Sequence, residues 1–122
     1  MKGLPFLFFA VAAICGLIGM AWGIQMSATG NHGMSPAHAH LNLLGWVSLA
    51  IYGTFYHLVP KAADGILSKI HAGLAILGVV MIVPGIAMAI NQTGETLAKL
   101  GSVVTILSMV MFIVVLFAKG RA

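Results

Sequence analysis

Charge is the scarcest commodity in this sequence. Across 122 residues there are two acidic side chains, Asp64 and Glu95, and six Lys and Arg. A soluble domain of this size carries about a quarter of its residues as charge, so that class is excluded. Cysteine is almost absent too. Cys15 stands alone in an apolar stretch, which rules out an internal disulfide or a Cys-rich metal centre and leaves packing as its role. With two carboxylates far apart there is no acid–base pair for hydrolysis. No Gly-rich phosphate loop or nucleophile elbow occurs. The net charge of +4 is scattered singly, with no basic patch for nucleic acid.

What is present is apolar surface. Hydrophobic residues make up 61% of the chain and the mean hydropathy is +1.09. Four runs are long enough to cross a bilayer, which takes about 20 residues. They cover residues 4–24, 37–59, 70–90 and 97–118. The expected fold is a single all-α, polytopic membrane domain of four transmembrane helices over residues 1–122. The first run follows Lys2 but exceeds the length of a signal-peptide core, so it reads as a retained helix.

Short polar connections separate the runs: Gln25 to Pro36, Pro60 to Lys69, and Asn91 to Glu95. Four crossings put Lys2, Lys61, Lys69, Lys119 and Arg121 on one side, with Lys99 near the other. They also put Asp64 and Glu95 on opposite sides. By the positive-inside rule both termini face the cytoplasm, and the expected location is a bacterial inner membrane.

The chemistry lies in the histidines. Imidazole is costly in a bilayer and marks a functional site there. His38 and His40 open the second run, in the order Ala37-His38-Ala39-His40-Leu41-Asn42. A helix turns about 100° per residue, so these two rings point about 200° apart. That geometry is poor for one metal and suits one helix serving two sites. His57 lies roughly 25 Å further along and cannot share a site with His40. It falls at the inner interface, where His71 is a possible neighbour. His32, beside Gly33, reads as a solvated loop residue. Met34 with His32, His38 and His40 offers the soft donor set of a copper site. Met20, Met81, Met88, Met109 and Met111 read as lipid or core contacts.

With Gly53, Phe55, His57 and Pro60 at their spacings after Ala37-His38-Ala39-His40, residues 37–60 resemble the tenth transmembrane helix of haem-copper oxidase subunit I. The resemblance implies that the two histidines ligate two different haems. That family has twelve helices in three arcs of four, so this chain resembles one arc, and a homotrimer would resemble a symmetric oxidase core. It also implies that His38 and His40 bind haem b iron between protomers, and that Lys99 pairs with a haem propionate. Snorkelling to lipid headgroups is the other reading of Lys99. No histidine is followed four residues later by a tyrosine, and the spans carry no acidic proton-channel residues. Electron transfer by a b-type cytochrome is therefore expected rather than oxygen reduction. Two other functions stay open: copper handling through His32, Met34, His38 and His40, and an oxidase-associated assembly or structural subunit. The redox partner has no signature in the sequence.

Overall fold

The computed structural model describes residues 1–121, and among them there is helix and no strand. Lipid offers no hydrogen-bond partners, so a chain this apolar must satisfy its backbone internally, and helices do so within each segment. Helix α1 covers Gly3–Thr29 and α2 Ser35–His40. A π-helical segment, Leu41–Ser48, follows without a break and leads into α3, Leu49–Leu58. A 3-10 turn at Pro60–Ala63 precedes α4, Ile66–Ile90. Helix α5 is Thr96–Lys119.

Three helices, α1, α4 and α5, are long and apolar enough to cross a membrane. Residues 35–58 form a fourth, composite helix. Its junctions at His40, Ser48 and Leu49 all keep right-handed helical dihedrals. The apolar runs read from sequence thus coincide with helices, but two boundaries move. Helix α1 continues through Gln25–Thr29, which sequence assigned to a loop. Thr29 Oγ1 bonds the Gln25 carbonyl at 3.0 Å, and the helix ends at Gly30, whose φ of 68° suits glycine. Helix α4 starts before residue 70, because Ser68 Oγ bonds back to Ala63 O at 2.7 Å across the turn.

The interior is small. Phe8, Leu49, Tyr52, Tyr56, Ala72 and Val115 make one cluster at the lysine-bearing end. Cys15 packs with Leu41 and Val79 in a second, as a lone cysteine should. The outside is apolar: Leu17 and Phe117 are each 70% exposed, a surface suited to lipid. Basic residues gather at one end. Lys61 Nζ donates to the Arg121 carbonyl at 2.8 Å, Lys119 Nζ to the Asp64 carbonyl at 2.5 Å, and Lys2 and Lys69 border one hollow there.

Glycine sets the helix spacing. Between α4 and α5, a Cβ on Gly101 would lie 2.8 Å from the Ile82 backbone, and one on Gly85 would meet the Ala98 backbone at 2.5 Å. Gly45 and Gly53 of the composite helix let it approach α1, packing against Cys15 and against Phe8 and Phe9. Gly101→Val should lower stability by about 2 kcal/mol, the usual cost of overpacking. Gly73→Ala, where a Cβ meets nothing within 4 Å, should not. Thermal unfolding in detergent, followed by circular dichroism, checks this; equal melting of Gly101→Val and wild type would contradict the close α4–α5 approach.

A histidine pair on opposite faces of the composite helix

Pro36 near the start of α2 is compatible with helix, since the first N–H groups have no intrahelical partner. The turn that follows carries both histidines. His38 points toward α1. Its Nε2 is 2.9 Å from the Gly19 carbonyl and its ring meets Trp22 edge-on, with centroids 6.0 Å apart. His40 turns the other way, to a groove of about 480 Å³ that Leu43, Ile82, Thr105, Ile106 and Met109 also line. The opposite-face geometry expected from a 3.6-residue turn is therefore what the chain adopts.

The two rings are held as different tautomers. A carbonyl oxygen only accepts, so His40 Nδ1, 2.7 Å from the Pro36 carbonyl, carries the proton in the neutral ring. Nε2 is then a bare lone pair with no partner among the described residues. That is how metal-ligating histidines are commonly held: one nitrogen fixed by a carbonyl, the other free. His38 is held by its other nitrogen. Nε2–H donates to Gly19 O, so it cannot also accept from Asn42 Nδ2, which lies 3.1 Å away. The Asn42 amide instead donates to the His38 carbonyl at 2.9 Å. This tautomer serves both carbonyls, whereas the alternative would leave Gly19 O facing a lone pair.

Room for this arrangement comes from α1. A Cβ on Gly19 would collide with Asn42 Oδ1, one on Gly23 would sit 3.3 Å from His38 Nε2, and one on Gly16 would sit 3.0 Å from the Trp46 ring. Sequence reasoning missed Asn42, Trp22 and this glycine row. The signals were there: Asn42 is one turn beyond His38 on the same face, and glycines at 16, 19 and 23 form a small-residue stripe. It also missed the π segment. Such segments are rare and frequently mark functional sites. Ser48 Oγ, bonding the carbonyl of Leu43 at 2.7 Å, follows the same five-residue step.

The remaining candidates separate. His71 is fully buried and its Nδ1 pairs with Tyr56 OH at 2.9 Å. The ring of Tyr52 stands edge-on to it at 4.4 Å. Its Nε2 has no partner. His57 is exposed and takes no part in that buried pair. His32 gives only its backbone carbonyl to the α2 turn, accepting from Ser35 Oγ at 2.7 Å. Among the described residues no three His, Cys, Asp or Glu side chains converge as a metal site. Lys99 Nζ lies 3.5 Å from Glu95 Oε2, both side chains being largely exposed, so this pair contributes little. Thr105 Oγ1, in the groove wall, is buried without a partner.

Comparison with family models, with curated proteins and with solved structures found no match.

The His38 arrangement depends on a bare backbone at residue 19. Gly19→Ala should displace Asn42 and break the His38–Gly19 bond, while leaving the His40–Pro36 bond alone. Imidazole ¹⁵N shifts of the two histidines read this directly. An unchanged His38 signal in the variant would contradict the contact.

Proposed function

We propose that the chain is a four-span membrane haem protein that transfers electrons, with His40 as a residue that would hold haem b iron. The observation that carries the reading is the His40 ring, fixed through Nδ1 by the Pro36 carbonyl and bordering an apolar groove of about 480 Å³. That volume lies within the usual range for small-molecule sites, about 300–1,000 Å³. The donor is right for haem iron, and the lining of Leu43, Ile82, Ile106 and Met109 suits a flat apolar ring. The likeness of residues 37–60 to a haem-ligating oxidase helix points the same way.

A helix cannot aim both histidines at one iron, so the second ligand is His38 of a neighbouring copy. A ring of three copies closes this head-to-tail arrangement with equivalent sites. His38 reaches an iron only by giving up the Gly19 carbonyl. The haem supplies a one-electron iron couple when bound. Two imidazoles leave no open coordination position, which favours electron transfer over oxygen chemistry. Lys99 is held only by an exposed contact with Glu95, and it precedes Ser102 of the groove by one turn. It is therefore free to exchange Glu95 for a propionate. The composite helix is the fourth crossing, and the basic end faces the cytoplasm of a bacterial inner membrane.

The visible spectrum of the purified chain tests the ligation. His40→Ala should lose bound haem, His38→Ala should change a low-spin spectrum to a high-spin one, and His57→Ala should leave it unchanged. Low-spin haem retained in His40→Ala would overturn the assignment. For topology, cysteines introduced near Lys2 and near Gln92 should label from opposite sides; the same side for both would overturn four crossings. Lys99→Met should shift the haem midpoint potential without altering ligation, and an unchanged potential would leave Lys99 only its surface role.

A further inference from the structure

At the lysine-bearing end, a hollow of about 720 Å³ lies among the start of α1, the end of α3 and the start of α4. Lys2, Lys69, His57 and Asp64 supply its polar wall. An apolar groove of about 470 Å³ runs from it along the α1–α4 face, past Leu7, Ala72, Ile76 and Val80. Leu4 and Lys69 border both spaces, so the two adjoin. A charged pocket beside a membrane-facing apolar groove has the shape of a lipid.

The charges favour an anion. Four lysines stand at this end, but two are committed: Lys61 to the Arg121 carbonyl and Lys119 to the Asp64 carbonyl. Lys2 and Lys69 have no acceptor among the described residues, and Asp64 is the one carboxylate in the hollow. His57 adds a ring N–H on the rim. Gly73 keeps the floor of the groove open, since a Cβ there would meet nothing within 4 Å.

We propose that this end of the bundle holds one anionic phospholipid, its phosphate between Lys2 and Lys69 and an acyl chain in the groove between α1 and α4. Basic pockets between membrane helices bind anionic headgroups by this combination of charge and apolar contact. The site is independent of the histidine pair and of any haem.

Native mass spectrometry of the full chain in detergent, titrated with phosphatidylglycerol or phosphatidylcholine of the same acyl chains, reads the site. The wild type should retain one phosphatidylglycerol per chain and prefer it over phosphatidylcholine. Each lysine near a membrane surface contributes about fivefold to anion affinity, so K2Q/K69Q should weaken phosphatidylglycerol binding by about twenty-fivefold. Asp64→Asn should strengthen it. The charge-matched control K61Q/K119Q should keep the preference. Should the double variant fail to fold, Lys2→Gln alone, in an exposed position ahead of α1, should still cost about fivefold. Gly73→Leu should reduce retention of both lipids by filling the groove. Inorganic phosphate should not displace the lipid. Equal retention of the two lipids by wild type, unchanged binding in Lys2→Gln, an equal loss in K61Q/K119Q, or displacement by phosphate would each overturn the proposal.

Discussion

The close approach of α1 to the composite helix is the constraint on which the rest depends. Helices in lipid gain nothing from hydrophobic exclusion between them, so they associate through packing and the few polar contacts that packing permits. Glycines at 16, 19 and 23 remove the side chains that would keep the second helix away. Trp46, Asn42 and His38 fill the space left. Only at that separation does His38 Nε2 reach a carbonyl belonging to another helix. One histidine of the pair is thereby tied to the bundle interior, and the other is left facing outward with a free nitrogen.

The π segment belongs to the same design. It begins directly after His40 and ends at Ser48, where the wider turn changes which side chains face α1 further along. Leu41 and Gly45 stay buried against Cys15 and Val79 through this stretch. After it, Tyr52 and Tyr56 enter the core beside His71. The fold thus holds two polar centres: the histidine pair near one end, and the sealed His71–Tyr56 pair toward the lysine-bearing end. The second is walled by Phe8, Tyr52 and Phe112, and its orphaned Nε2 costs about 1–3 kcal/mol.

Much of this was legible in the sequence. Apolar run length gave the helices, because the bilayer imposes a length. His-x-His spacing gave the opposite faces, because α2 keeps an ordinary turn up to His40. The helix ends at Thr29 and Ile66 were not legible, since polar side chains there bond back to backbone carbonyls rather than open a loop. The neighbours of Gly45 and Gly53 were not legible either, because sequence shows that a residue is small, not what packs against it. His71 looked like an interfacial residue. Its burial depends on Tyr56, and that pairing links two helices across a turn with no local signature. The tautomers of His38 and His40 were likewise out of reach, since they follow from which carbonyl each ring meets in three dimensions.

The central claim is that His40 offers Nε2 to iron while Pro36 holds Nδ1. The most direct measurement is hyperfine spectroscopy on the haem-loaded chain with histidine ¹⁵N-labelled at one ring nitrogen at a time. The account predicts strong iron coupling from the Nε2 label, and a protonated, weakly coupled Nδ1, with the His40 contribution absent in His40→Ala. Iron coupled to no histidine nitrogen of the chain, or coupled through Nδ1 of His40, would contradict it.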